Sequence, residues 1–247
     1  MNCTEDIIKP PIMAGGEGVW KELLLRPSPS VCRILIAAIG LHFFQHSSGI
    51  DALLLYSPRI FEAAGVIDKN KLLLATIGIG LTKTIFILIA TCSLDKVGRK
   101  PLLLVSTGDM VLASVGLGFG LSIMNQSKEK LSWAMSLSIV SAYTYVGMHA
   151  IGLRPVTWVY SSELFPLKLR AQGARIGVAV NRGMNAAVSM SFISIYKEIT
   201  IGVTFLMFAG ICMLAWGFIY LFLPETKGRS LEEMEMLFNK KARTGNT

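Results

Sequence analysis

The chain has 247 residues, of which 52% are hydrophobic and 16% are charged, and its formal net charge is +8. Soluble domains carry about 25% charged residues, so this composition excludes an ordinary soluble domain and indicates a polytopic membrane protein. The basic excess would also suit nucleic-acid binding, but its distribution along the chain indicates membrane topology instead. Residues 1–30 hold acids, prolines and glycines and no apolar core, so we expect no signal peptide.

Six apolar segments follow this polar leader, which includes a short amphipathic piece at residues 19–25. Each segment reaches the roughly 20 residues that a spanning helix needs. They occupy approximately residues 34–56, 72–93, 101–124, 131–160, 174–196 and 200–223, and Pro155 interrupts the fourth. The sequence therefore predicts an all-α, six-helix membrane domain over residues 31–224. In the tail, residues 225–247, a capping box at Ser230–Glu233 begins a short amphipathic helix.

The lysines and arginines are distributed unevenly between the two ends of these segments. Most lie in the termini and in the loops after the second and fourth segments, and few lie in the opposite loops. By the positive-inside rule, both termini are cytoplasmic. The orientation of the chain in the lipid bilayer therefore explains its excess of basic residues. We expect no nucleic-acid partner.

The first apolar segment carries a group of polar residues around Gly49. These residues are Gln45, His46, Ser47, Ser48 and Asp51. Polar side chains at mid-membrane depth are costly and usually face a cavity or the bundle interior. A glycine at that depth lets a helix unwind, as in the broken helices of transporters. The pattern predicts a binding site at a break in the first span.

Two charged clusters lie at the predicted cytoplasmic ends of the spans. Asp95, Arg99 and Lys100 follow the second segment, and Glu163 and Arg170 end the fourth. Exposed charge pairs contribute about 1 kcal/mol or less each, so contacts between the clusters can break in every cycle of a gate. The alternative reading is a pair of solvated loops that only set topology.

Four stretches together resemble the sugar porter branch of the major facilitator superfamily. They are QHSSGIDALLLYSP at 45–58, DKVGRK at 95–100, PVTW running into SSELFPLKLRAQG at 155–173, and PETKGRSLEEME at 224–235. With VWKELLLRP at 19–27 and AVNR at 179–182, the chain looks most like the plant polyol and monosaccharide proton symporters.

This resemblance runs from about residue 18 onward but covers only half of the family's twelve-span fold. The chain matches the end of the central loop and spans seven to twelve. The resemblance therefore implies transport of sugars or sugar alcohols by a substrate-binding half. Alternating access would require a partner half, either a second copy or a separately encoded N-terminal half, and proton coupling would require the N-terminal half.

The resemblance also implies a set of substrate contacts. Gln45 matches a glutamine that hydrogen-bonds sugar hydroxyls, and its amide suits a vicinal diol. Trp158 matches a tryptophan whose face stacks on a sugar ring. His46 stands where the family has a second glutamine, and Asp51 stands where it usually has asparagine. Tyr56 matches an outer-gate aromatic, next to Leu55 where many members have tyrosine, and Asn181 matches a polar contact on span eleven.

Arg154 departs from the family, which has glycine just before Pro155, facing the site. An arginine there pairs with Asp51, binds an acidic substrate or blocks the cavity. Blockage or altered selectivity is favoured over a new specificity for anions. A second departure, Asp109, either pairs with Lys83 or marks a sequence under relaxed constraint.

The remaining candidates have simpler interpretations. His42 and His149 are expected to be packing or interfacial histidines rather than proton relays. The four cysteines (Cys3, Cys32, Cys92 and Cys212) are scattered, without metal-binding spacing. We expect neither a cofactor nor a metal, and no group of residues supports an enzyme.

Three interpretations of the whole chain stay open. It is a half-transporter of the plasma membrane, a non-transporting membrane protein that binds or regulates full-length sugar porters, or a piece of a twelve-span symporter.

Overall fold

The computed structural model describes residues 29–126, 131–165 and 169–224, and all of its elements there are α-helices. In chain order the helices are α1 (Pro29–Ser47), α2 (Ile50–Leu55), α3 (Ser57–Ala63), α4 (Lys69–Val97), α5 (Arg99–Gln126), α6 (Ser132–Ile151), α7 (Leu153–Leu164), α8 (Arg170–Ile199) and α9 (Ile201–Phe222). The all-α prediction is confirmed. The helices predicted at residues 19–25 and after Ser230 lie outside the described residues.

Three helices are long and apolar enough, by length and composition, to cross a membrane. They are α4 over Lys69–Leu94, α5 over Arg99–Gln126, and α9 over Ile201–Phe222. The other three predicted spans correspond to helices that are divided or carry polar groups. The first span consists of α1 and α2, the fourth consists of α6 and α7, and α8 is a continuous helix with several polar side chains.

The first span breaks at Gly49, where the sequence predicts unwinding. Gly49 has φ +85°, a left-handed conformation that side chains with a Cβ adopt only with strain. A Cβ built on Gly49 would lie 2.5 Å from the ring of Phe208 on α9. Both backbone conformation and close packing therefore require glycine between α1 and α2.

The fourth span breaks at Gly152, and not at Pro155 as the sequence analysis expected. Gly152 has φ −100° and ψ −83°, between the end of α6 and the start of α7. Pro155 lies in the first turn of α7, where an N–H has no intrahelical partner to lose. The proline ring would clash with the carbonyl of the residue four positions earlier in a continuous helix, here Ile151 at the end of α6. The break therefore precedes the proline.

The helices pack unevenly around one core. Helix α5 packs between α6 and α9, while α1 packs on α8 and α7. In the most apolar 18-residue stretch of α4, 6% of the residues are buried, whereas in that of α5 50% of the residues are buried. The exposed face of α4 is apolar and consists of Leu74, Ile77, Leu81, Ile85 and Leu88. Helix α4 therefore lies at the edge of the bundle, with a face available to lipid or to a further protein.

Candidate functional site

The polar group of the first span meets α8 inside the bundle. Gln45 Oε1 accepts a hydrogen bond of 2.8 Å from Asn181 Nδ2, and the same nitrogen lies 3.3 Å from His42 Nδ1. The three residues are each 2% exposed or less. The structure thus brings Gln45 and Asn181 together, although 136 positions separate them in the sequence.

His42 connects this pair to α7. Its Nε2 lies 3.0 Å from Ser161 Oγ, and the Ser161 hydroxyl already donates to the carbonyl of Thr157 at 2.7 Å. The hydrogen-bond network therefore assigns the imidazole proton to Nε2, which donates to Ser161, and leaves Nδ1 to accept from Asn181. The imidazole also contacts the indole of Trp158 edge-on, with ring centroids 5.2 Å apart.

The sequence alone predicts a packing or interfacial role for His42 and no place in the site. Its partners lie on other helices, and a Cβ on Gly177 of α8 would approach the imidazole to 2.6 Å, so the ring fills a space that this glycine provides. The available signal was spacing, since His42 precedes Gln45 by three positions and His46 by four. These intervals place all three on one face of α1.

Side chains of α6 satisfy the carbonyls that the break in the first span frees. His149 Nε2 donates to the carbonyl of Gln45 at 3.3 Å, and the Tyr145 hydroxyl donates to the carbonyl of Ser48. The Ser48 hydroxyl donates to the Gln45 carbonyl at 3.0 Å. Backbone polar groups at membrane depth need such partners. The break in the first span is therefore stabilised by hydrogen bonds from neighbouring side chains, and His149 donates one of them.

His46 and Asp51 bridge the same break from opposite sides. His46 Nδ1, in the last turn of α1, contacts the Asp51 carboxylate in the first turn of α2. Asn185 Nδ2 on α8 lies 3.4 Å from the same imidazole nitrogen. Asp51 therefore pairs with His46, and the pairing of Asp51 with Arg154 that the sequence analysis considered does not form.

Arg154 and Lys83 lie on the other side of α2. Both line a narrow gap between α2, α4, α6 and α7. The pairing of Lys83 with Asp109, one of two alternatives from the sequence, is absent, and among the described residues neither Lys83 nor Arg154 makes an ion pair.

Tyr56 packs within this half of the bundle. Its hydroxyl donates to the carbonyl of Ser189 on α8 at 3.3 Å, and its ring stacks on Phe192 with centroids 5.1 Å apart. The neighbouring Leu55 is 61% exposed. A gating role for Tyr56 would require these contacts to α8 to loosen.

An ion pair connects the two predicted charge clusters. Arg99 Nη2 donates to Glu163 Oε1 at 2.8 Å, which links the start of α5 to the end of α7. Lys100 Nζ donates to the carbonyl of Tyr220 at 3.0 Å. The Nε of Arg170 is buried and has no hydrogen-bond partner in the part of the chain that the structure describes. Asp95 lies on α4, and its side chain is outside the described part.

We expect the Arg99–Glu163 contact to contribute about 0.5–1 kcal/mol, because both side chains remain partly exposed and solvent screens the pair. A double-mutant cycle of Arg99→Ala and Glu163→Ala, measured by unfolding of the purified protein in detergent, reports this coupling. The matched control is a cycle of Arg59→Ala and Glu163→Ala, since Arg59 contacts Tyr196 on α8 instead. A coupling below about 0.3 kcal/mol would show that the two charges act independently.

The broken first and fourth spans define the class of protein. Helices that unwind at mid-span, with polar side chains gathered beside the break, are typical of helical membrane transport proteins. The chain is an integral membrane protein that belongs to the sugar transporter family. The model of the family described as "Sugar (and other) transporter" matches residues 6–238.

Similar proteins agree with this assignment. The chain is 60% identical to "Probable polyol transporter 6" of Arabidopsis thaliana, over 96% of this chain and 48% of that protein. It is 52% identical to "Polyol transporter 5" of the same plant, over 96% of this chain and 44% of the relative. The chain therefore spans less than half the length of these curated relatives.

Solved structures show the same fold. The proton:xylose symporter XylE bound to 6-bromo-6-deoxy-D-glucose matches with a TM-score of 0.74 and 28% identity, over 91% of this chain and 45% of that one. The inward open conformation of XylE from E. coli matches with a TM-score of 0.70 and 30% identity, over 83% of this chain and 42% of that one. The described chain thus has part of a major facilitator fold.

Proposed function

We propose that this chain is the substrate-binding, carboxy-terminal half of a sugar or sugar-alcohol transporter. The observation that carries the proposal is the cluster of Gln45, Asn181, His42 and Trp158 beside the break in the first span. Within the described residues the Gln45 amide nitrogen makes no hydrogen bond, and the Trp158 side chain is 42% exposed. An amide donor beside an exposed aromatic face suits a polyhydroxylated ligand.

The arrangement of the chain in the membrane belongs to the same proposal. Residues 31–224 form a six-helix unit of the plasma membrane, with both termini cytoplasmic, in agreement with the positive-inside distribution of Lys and Arg. The two relatives above are named polyol transporters, and XylE is described as a proton:xylose symporter. Proton coupling in this protein would depend on an N-terminal half.

The exposed face of α4 offers a surface to such a partner. Its apolar side chains are among the exposed large hydrophobic residues of the described chain, and a second six-helix half would cover them in place of lipid. A partner half, or a second copy in its place, would also cover the exposed side of Trp158. Alternating access then consists of movement between the two halves.

Two measurements test the proposal. Binding of sorbitol and xylose to the purified chain in nanodiscs, measured by titration calorimetry, is expected without any partner. Uptake of labelled sorbitol into proteoliposomes is expected only after reconstitution with the N-terminal half of a polyol relative. Absence of both binding and uptake for every sugar and polyol tested would contradict the proposal. Binding without uptake, together with co-purification with a full-length porter, would identify a regulatory membrane protein instead.

A further inference from the structure

A narrow gap lies behind the broken first span, on the side away from α8. Ile50 and Leu54 of α2 line it, together with Val146 and His149 of α6, Lys83 of α4 and Arg154 of α7. The gap has no room for a water molecule in this conformation. Entry of a ligand group therefore requires the long side chains of Lys83 or Arg154 to move.

The charge of this gap is unbalanced. Lys83 and Arg154 are half-buried, the aliphatic side chains around them are apolar, and neither cation makes an ion pair with a described residue. Asp51, which follows Ile50, is the acidic residue that acts electrostatically on Lys83, but it forms no ion pair with Lys83 and its carboxylate contacts His46. His149 uses Nε2 as a donor to the Gln45 carbonyl and supplies no negative charge. Cations at membrane depth are costly unless an anion or a water-filled cavity compensates them.

The gap and the proposed sugar site lie on opposite sides of His149. His149 lines the gap and also contacts the Gln45 backbone. Arg154 precedes Trp158 by four residues on α7, so the two side chains share a face and lie about 6 Å apart along the helix axis. A ligand of six carbons that contacts Trp158 therefore has one end within reach of Arg154.

We propose that Arg154 and Lys83 form a carboxylate subsite, which makes a polyhydroxylated monocarboxylate, a sugar acid, the preferred ligand of this chain. The proposal rests on the proposed function, because it assigns one end of the same ligand. The guanidinium of Arg154 presents a planar pair of N–H donors that matches the two oxygens of a carboxylate. The Lys83 ammonium supplies a second positive charge on the opposite wall, from α4.

Sorbitol and gluconate provide a matched pair of probes. They have the same six-carbon chain and the same hydroxyl configuration, and they differ only at one end, where gluconate carries a carboxylate. Titration calorimetry with the purified chain in nanodiscs is expected to give at least about tenfold tighter binding of gluconate, since hydrogen bonds to charged groups are the stronger kind. Higher salt is expected to reduce this preference.

Substitutions of Arg154 and Lys83 test whether these two residues cause the preference for gluconate. Arg154→Gln and Lys83→Met are each expected to reduce gluconate affinity by a larger factor than sorbitol affinity, so that the preference for gluconate falls in each variant. Arg154→Lys is expected to retain part of the preference because the charge remains. The matched control is Lys71→Met, which removes an exposed lysine from the same helix as Lys83 and is expected to leave both affinities unchanged.

The outcomes separate this inference from the proposed function. Equal binding of sorbitol and gluconate would overturn the carboxylate subsite and leave the sugar-binding half intact. Binding of neither probe would contradict both. If Arg154→Gly binds sorbitol while the original chain binds neither probe, Arg154 blocks the site. A further outcome is that the chain shows no preference for gluconate and that Arg154→Gln no longer assembles with the N-terminal half. This outcome would show that the two cations pair with a carboxylate of the partner half and not with a ligand.

Discussion

Replacing Gln45 by alanine is expected to weaken sorbitol binding about tenfold to hundredfold. The substitution removes the free amide donor, so a sorbitol hydroxyl that it binds loses its partner in the complex; the loss of the oxygen that accepts from Asn181 Nδ2 at 2.8 Å lowers stability with and without ligand. A hydrogen bond contributes about 0.5–1.5 kcal/mol net, and a buried polar group left unsatisfied costs about 1–3 kcal/mol. Since each 1.4 kcal/mol corresponds to a factor of ten in affinity, titration calorimetry resolves the effect.

The control for this experiment is Gln126→Ala, which removes an exposed glutamine at the end of α5. This variant is expected to bind sorbitol like the original chain. Gln45→Asn keeps the amide but shortens its reach, so an intermediate affinity is expected. If Gln45→Ala binds sorbitol normally while remaining folded, the ligand does not use this amide, and the site lies elsewhere in the bundle.

Replacing Gly49 by alanine is expected to lower the free energy of unfolding by about 2–5 kcal/mol. The left-handed conformation at φ +85° costs a residue with a Cβ roughly 1–2 kcal/mol. The added methyl group also meets the ring of Phe208 at 2.5 Å, and overpacking of this kind costs about 1–3 kcal/mol. Phe208 is buried and packs against the rings of Phe192 and Phe205, so withdrawal of its ring would disturb these contacts.

Thermal unfolding of the purified protein in detergent measures this effect. The matched control is Gly210→Ala on α9, where a built Cβ meets nothing within 4 Å. Alanine is the better helix former at such a position, so an unchanged or slightly higher melting temperature is expected there. Similar melting temperatures for Gly49→Ala and the original chain would show that the first span relaxes into a continuous helix without strain.

Local rules explain what the sequence predicts well. The lengths of the apolar segments follow from the thickness of the hydrocarbon layer, which acts on each segment separately. The break near Gly49 follows from a glycine between polar residues at mid-span, which is also a local pattern. The break at Gly152 was misplaced by three residues. The proline supplies the steric conflict, whereas the adjacent glycine adopts the irregular conformation that relieves it.

The partners of the polar residues required the tertiary structure. Gln45 and His46 are visible as candidates in the sequence, but nothing local indicates that Asn181 and Asn185 of α8 meet them. The sequence predicts a packing or interfacial role for His42, but it does not reveal the contacts of His42 with Ser161 and Asn181 on other helices. Such contacts depend on which helices pack together and at what rotation, and both are decided by side chains far apart in the chain.

The sequence by itself determined the helical membrane class, the number of apolar segments and the unusual residues at Gly49 and Arg154. These properties depend on transfer from water to lipid and on backbone geometry, which act residue by residue. Only the tertiary structure decided that Asp51 pairs with His46 rather than with Arg154, and that Lys83 shares a gap with Arg154. Electrostatic partners are decided by distances across the bundle, and those distances exist only after α1, α2, α4 and α7 have packed.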